Sequence, residues 1–212
     1  MSVVVPFLRP IERENLTARV YSELRKGLLE SRFPPGHRFK IRELAASLGV
    51  SETPVREALM QLVSDGGLDM RAARSISVVR LGLAEYLELR TIRLHLEGLA
   101  AFEAASRISE GQIDQLAADH DRLISAEACG DWREALRANA RFHHLILEAA
   151  GMPNLLGIVE GIWLRNGPLL TYLYPDAHPT YPGRHQHLNV IDALRRREPE
   201  AVRAAIQADI LE

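Results

Sequence analysis

Apolar residues recur along the start of this chain at a spacing of four. Leu16, Val20, Leu24 and Leu28 are separated by charged and polar positions, which predicts an amphipathic helix over 15–30. Pro34-Pro35-Gly36 stops it. A short helix is predicted over 41–48, with Ile41, Leu44, Ala45 and Leu48 inward and Arg42 and Glu43 outward, ended by Gly49. Ser51 is placed to cap a third helix. That helix tolerates Pro54 in its first turn, turns Val55, Leu59 and Leu62 inward, and ends at Gly66-Gly67. From Leu68 to Val79 the period changes to two. Leu68, Met70, Ile76 and Val78 alternate with polar or small residues around 72–75, the pattern of a hairpin.

Beyond Leu83 the pattern is helical almost throughout. A long helix holding Leu83, Leu87, Arg90, Leu94, Glu97 and Ala101 breaks near Ser109, where Gln112 completes a capping box for the next. Asp131 is expected to cap a segment that runs to Ala150, and Pro153 to open one that reaches about Tyr172. The Pro-rich stretch 174–183 reads as a loop, and two last helices are predicted over 184–197 and 199–212. The last reaches Glu212 without a stop signal, so a longer natural chain is compatible with the pattern. Two short helices joined at a Gly turn, with a helix before and a hairpin after, make a winged helix-turn-helix. Six further helices without strands make an antiparallel bundle. The fold class is therefore mostly α, with a division expected at 1–80 and 81–212.

Composition adds one discriminating fact. The whole chain, with 26 Lys and Arg against 28 Asp and Glu, has a formal charge of −2. Residues 1–80 hold 13 basic and 9 acidic residues, a balance of +4, while residues 81–212 hold 13 and 19, a balance of −6. Seven of the eight histidines fall in the acidic part. The first module is thus suited to a polyanion and the second is not. No apolar run approaches the roughly 18 residues of a membrane span, and the first fifteen residues lack a signal-peptide core, so a cytoplasmic protein is expected. Cys129 is the single cysteine, which excludes an internal disulfide and a cysteine-based zinc cluster.

The helix-turn-helix positions also carry a motif. Pro35-Gly36, then Arg42-Glu43-Leu44-Ala45, then the unbroken run Leu48-Gly49-Val50-Ser51-Glu52-Thr53-Pro54-Val55-Arg56-Glu57-Ala58-Leu59, resemble the N-terminal signature of the GntR family of bacterial transcription regulators. In the second part, Arg93-x-x-Leu96-Glu97, Asn139-x-x-Phe142-His143 and Gln186-His187 followed by Ile191-x-Ala193-Leu194 resemble the FCD ligand-binding domain of the FadR branch of that family. Six helices place it nearer the VanR-like group than FadR itself. The resemblance implies a homodimeric regulator, more often a repressor, on a pseudo-palindromic double-stranded operator.

By that resemblance Arg42, Ser51, Glu52, Thr53 and Arg56 face DNA. Arg42 and Arg56 suit guanine edges or phosphate, Ser51 and Thr53 suit phosphate, and Glu52 suits a cytosine amino group. Relatives commonly carry Arg at the position of Glu52, and a Gly near Ser75 where this chain reads Ala72-Ala73-Arg74-Ser75. Arg71 and Arg74 are then the wing cations that would reach phosphate or a narrow minor groove.

In the bundle, Asn139 and His143 lie one turn apart on one helix face, and His187 lies on a later helix. The family builds a metal site from an Asp or Asn, the His four residues on, and two later His; the last of these falls at Asp209 here. The implied set, Asn139, His143, His187 and Asp209, suits zinc, nickel, iron or manganese. Arg93 is then placed to hold a small carboxylate effector at the metal, the alternative being an ion pair with Glu97 or another core acid. His37, His95, His120, His144, His178 and His185 are expected to be ordinary surface or hydrogen-bonded histidines, and Phe142 and Trp163 core residues. Two other functions stay open at this point. One is a purely dimerising bundle behind the same DNA module; the other, a metal-dependent hydrolase, lacks a second general base or a nucleophile elbow.

Overall fold

A computed structural model of the chain describes residues 16–71, 75–173 and 183–211. The four-residue spacing at the start forms α1, Leu16–Leu29, which buries Val20, Leu24 and Leu28. Helices α2, Ile41–Leu48, and α3, Glu52–Ser64, meet at Gly49. The turn there needs φ of +66°, a left-handed conformation that costs glycine little and other residues more. Val55, Ala58, Leu59 and Leu62 of α3 are fully buried against α1.

The expected hairpin is present as β2, Leu68–Arg71, and β3, Ser75–Val78, antiparallel with Met70 opposite Ile76. A further strand, β1 at Arg38–Phe39, pairs with the other edge of β3 and gives the order β1-β3-β2. Two residues carry no readable period, which is why the pattern did not reveal it. Residues 72–74, with Arg74, lie outside the described residues, as do 174–182 of the Pro-rich stretch and His178 within it.

Six helices follow: α4, Leu83–Arg107; α5, Glu110–Cys129; α6, Trp132–Ala149; α7, Pro153–Asn166; α8, Gln186–Arg195; and α9, Pro199–Leu211. The caps at Ser109 and Asp131 are those predicted. Ser109 Oγ accepts from Gln112 N–H while Gln112 Oε1 accepts from Ser109 N–H, and Asp131 accepts from Glu134 N–H at 3.0 Å. The helix expected to run from Pro153 to about Tyr172 changes at Gly167 to a 3-10 turn, Gly167–Tyr172. Pro168 has no N–H to bond back into the preceding turn, so α-helix cannot continue through it unbroken. The segment expected over 184–197 is shorter, because His185 is the N-cap and its ring accepts from His187 N–H. Along α4, Ala100, Ala101, Ala104 and Ala105 are buried, and their small side chains let α9 lie close.

Among the described residues the two cores meet where α1 packs on α7, with Leu29 against both. Leu164, near the end of α7, is 2 % exposed and belongs to the core built by α1, α3 and the sheet. Ser31 Oγ, just past α1, donates to the Gly167 carbonyl at 2.8 Å. Arg25 of α1 pairs with Glu160 of α7 at 2.7 Å.

Candidate functional site

The predicted DNA-facing residues lie on the exposed surfaces of α2 and of the start of α3. Arg42 is the second residue of α2, Ser51 immediately precedes α3, and Glu52, Thr53 and Arg56 lie in its first two turns; all five are exposed. Ser51 sits at the N-cap with extended backbone, but its side chain makes no capping bond, contrary to the sequence expectation. Its hydroxyl is thus available at a helix start whose unpaired N–H groups favour anions. Arg56 and Glu52 approach only to 3.9 Å with both side chains more than half exposed, too loose to hold Arg56 away from another acceptor. Arg71 ends β2 opposite Ser75. Sequence reasoning missed Arg38 of β1 and Arg80 just past β3. With Ser75 and Ser77 they line a polar hollow of about 200 Å³ beside the sheet. The available signal was a pair of arginines flanking the predicted wing.

The second site is internal. A cavity of about 470 Å³ is lined by Arg93, Asn139, His143, Asn166, His185 and Asp209 and by leucines, among them Leu136 and Leu170. Three of the four predicted ligands converge. His143 Nε2 lies 3.0 Å from Asp209 Oδ2, and His187 Nε2 lies 3.6 Å from Asp209 Oδ1. One donor atom from each of His143, His187 and Asp209 falls within 4.8 Å of the others. Asn139, one turn before His143, faces the same cavity. Arg93 adopts the alternative partner and the predicted place together: its Nε donates to Glu97 Oε1 at 2.6 Å while the residue lines the cavity. Glu97 is also fixed by Trp163 Nε1 at 2.9 Å, and its other oxygen faces His143 Nδ1 at 3.8 Å. Trp163 and Phe142 are core residues as expected, and the Phe142 ring stacks on His187 at 3.7 Å.

His120 and His185 are not ordinary histidines. Both are buried, and their rings lie 4.9 Å apart, at 5.6 and 4.4 Å from the His187 ring. Donor atoms of His120, His185 and His187 also fall within 4.8 Å of one another. Sequence reasoning missed His120, and the signal that could have found it is the inward stripe of Leu116 and Leu123 on α5, which it continues. His185 carried no such signal, because it sits outside the helix whose start it caps.

Burial and charge set the protonation of this group. Burial alone would raise the Asp209 carboxyl, but the His143 bond and the surrounding imidazoles pull it down to about 2. Burial opposes charge on His143, yet the bond to Asp209 and the fields of Asp209 and Glu97 raise its pKa. His187 is held well below its ordinary value by burial, and His185 is lowered to about 4 by the same cause. His187 is therefore a neutral imidazole, and both its ring nitrogens lack a hydrogen-bond partner among the described residues. An orphaned neutral imidazole beside a carboxylate and a second imidazole fits a borderline divalent metal.

Comparison with known proteins decides what carries these two sites. Residues 16–78 match the family described as bacterial regulatory proteins, gntR family, and residues 88–211 match the FCD domain. This chain belongs to the GntR family and carries an FCD domain. It is 31% identical over 211 residues to the HTH-type transcriptional regulator McbR of Escherichia coli, covering 98% of this chain and 95% of that protein. It is 26% identical over 196 residues to a probable D-xylose utilization operon transcriptional repressor of Paenarthrobacter nicotinovorans, covering 92% and 86%. The solved structure of E. coli McbR/YncC superposes with a TM-score of 0.85 at 30% identity, covering 92% of this chain and 93% of that one. GntR regulators bind operator DNA and FCD domains bind small-molecule effectors, so this GntR regulator is not an enzyme. No helix among its described residues is long and apolar enough to cross a membrane.

Proposed function

We propose that this regulator is a cytoplasmic homodimer that binds a pseudo-palindromic operator through residues 1–80 and represses until a small carboxylate enters the bundle formed by 81–212. Arg42, Ser51, Thr53 and Arg56 grip phosphate and guanine edges, Glu52 reads a cytosine amino group, and Arg71 and Arg74 extend the contact from the wing. Dimer symmetry matches operator symmetry.

One observation carries the sensing part. The cavity that presents Arg93 and the His143–Asp209 pair is also lined by Leu81, Gly82 and Leu83, the connection to the DNA module. A ligand held there touches the joint whose geometry sets the spacing of two recognition helices. The effect on operator affinity equals the ligand's preference between the DNA-competent and incompetent arrangements. With its Nε engaged by Glu97, Arg93 still has two terminal nitrogens for a carboxylate. His143, His187 and Asp209, with Asn139 alongside, would hold a divalent metal such as zinc, nickel, iron or manganese. Such a metal supplies a positive anchor for the carboxylate.

The test uses purified protein and a duplex that the protein itself selects from a randomised library. Small carboxylates are screened by thermal shift, with and without added metal. Expected is a carboxylate that raises the melting temperature and changes affinity for the duplex by about 5- to 150-fold. A panel with no stabilising member, or one that stabilises without altering duplex affinity, overturns the sensing role and leaves a dimerising bundle. Sedimentation at micromolar concentration reads the dimer directly.

A further inference from the structure

The strands of the wing sheet alternate between two faces. Phe39, Ile76 and Val78 turn into the core of the DNA module, so Arg38, Ser75 and Ser77 stand on the opposite face. Arg38 lies across from Ser77 in the β1–β3 register, and Arg80 follows the end of β3 by two residues. These four side chains, with Gly36 and Val78, line the polar hollow of about 200 Å³. Asp69 stands across from Ser77 on β2, on the other side of β3 from β1, and is not among the lining residues.

The hollow gathers donors without an acid to receive them. Neither guanidinium makes an ion pair or hydrogen bond among the described residues, and neither serine hydroxyl makes a hydrogen bond there. Two guanidinium groups around one space repel each other, and with no carboxylate between them the group that relieves the repulsion is an anion from outside. The backbone also reserves the place of one of them. Gly36 has φ of +79°, and a Cβ on it would lie 2.6 Å from Arg80 Cζ, so a residue other than glycine would push the guanidinium aside. Gly36 N–H donates to the Val78 carbonyl at 2.9 Å, which ties the glycine to β3 two residues before Arg80.

We propose that Arg38, Arg80, Ser75 and Ser77 form a phosphate-binding site on the outer face of the wing sheet, and that its occupant is a backbone phosphate of the duplex outside the half-site read by α2 and α3. This rests on the operator-binding reading. The hollow is continuous with the reading face: from Arg38 the chain passes through Phe39 and Lys40 into α2, which carries Arg42, and Ser75 opens β3 across from Arg71 at the wing end. A duplex that engages both α2 and the wing brings its backbone past the strands that join them. A phosphodiester offers two unesterified oxygens, one for each guanidinium, and the hydroxyls are further donors. The contact carries no base sequence and adds affinity and register.

The test scans the library-selected duplex, extended on both sides, with single methylphosphonate substitutions that each make one phosphate neutral. Affinity is read for wild type and for the double variant Arg38→Ala, Arg80→Ala; both side chains are exposed, so the melting temperature stays at the wild-type value. Wild type is expected to lose about 5- to 50-fold at one flanking phosphate per half-site, the effect of a charge-assisted contact. The double variant binds the unmodified duplex more weakly by a similar factor, is indifferent to that substitution, and keeps the wild-type response at every other phosphate. Its salt dependence is shallower by about one counterion per half-site. Ser77→Ala removes a donor and no charge, so it weakens the duplex about threefold at an unchanged salt slope.

A second arm separates a duplex phosphate from a free one. Inorganic phosphate and pyrophosphate are titrated by calorimetry at constant ionic strength into wild type and the double variant. Binding to wild type that the double variant loses, with no flanking phosphate singled out in the scan, keeps the phosphate site and overturns the duplex as its occupant. Two proteins that respond alike at every methylphosphonate position, with no binding of inorganic phosphate or pyrophosphate, overturn the site. So does a double variant whose response is reduced evenly at all positions, the mark of a diffuse field rather than a contact. Arg56→Ala keeps the flanking-phosphate response while weakening the whole duplex, so failure of α3 as the reading helix is told apart from failure of this site. If wild type selects no duplex at all, the operator reading falls and the calorimetric arm alone decides the phosphate site.

Discussion

The two polar sites of this molecule are built in opposite ways. On the DNA edge, Arg42, Ser51, Glu52, Thr53 and Arg56 are exposed, and the Arg56–Glu52 ion pair is loose. In the bundle, Arg93, Glu97, Trp163, His143 and Asp209 are buried or nearly so and bonded in series. The difference follows from where water is. An exposed arginine loses little while it waits for phosphate, because water solvates it until counterions are released on binding. A buried carboxylate without partners would be protonated or would unfold the site. A reader of a polyanion keeps its groups free, and a sensor in a core pairs its charged groups. His187, with neither ring nitrogen hydrogen-bonded among the described residues, is an exception at the candidate metal site.

Substitutions can break this contrast in order of size. The largest effect is expected for Asp209→Ala, which strips His143 of its partner in the core. Stability should fall by about 3 kcal/mol in denaturant titration with chelator present, the scale of breaking a buried pair. A loss under about 1 kcal/mol would mean the pair is not structurally committed. Next is Arg56→Ala, expected to weaken the selected duplex by about 10- to 100-fold, corresponding to roughly 1–3 kcal/mol, while the melting temperature stays put. Retained duplex affinity across a salt titration would show that α3 is not the reading helix.

A smaller effect is expected at the junction. Burial alone would raise the Glu160 carboxyl, but bonds from Arg25 and His144 hold it below its ordinary value of 4.5. Its folded pKa is depressed, so its contribution is present above 4.5 and is lost as pH falls through the folded value. Glu160→Gln should therefore flatten the acid dependence of the melting temperature by an amount worth about 1 kcal/mol or less, with little change near neutrality beyond that lost contribution. An unchanged acid slope would place the pair outside the folding equilibrium. The smallest effect on stability belongs to Ser51→Ala, within about 0.5 kcal/mol, since no capping bond is lost. The same variant should weaken the duplex about threefold, and a drop in stability of about 1 kcal/mol would reveal a cap that forms in solution.

Local pattern reported what local forces decide. The stripes of α1 and α3, the Gly49 turn and the caps at Ser109 and Asp131 were legible because each depends on residues within one or two turns. The motif pointed to Arg42, Arg56, His143 and His187 through fixed spacings, and the structure leaves the first two exposed and brings the last two together. What was not legible depends on distant partners. Strand β1 exists only because β3 offers an edge to Arg38 and Phe39. His185 joins the histidine cluster through tertiary packing, and the Ser51 hydroxyl leaves its capping role without any sequence sign. Glu97 was seen as a possible partner of Arg93, but its bond to Trp163, 66 residues away, is a product of the bundle.

Leu164 has a bearing on how such proteins exchange parts. It fills the DNA module's core from the other module, and a Cβ on Gly67 would lie only 3.2 Å from its own Cβ. Grafting a different reader onto this sensor therefore requires a recipient with room opposite position 164, and a graft carrying a larger residue at 67 would wedge the halves apart. Two regions that look like interchangeable cassettes in sequence are joined through Leu164, with Leu29 packed against both cores, and recombination between relatives is constrained there.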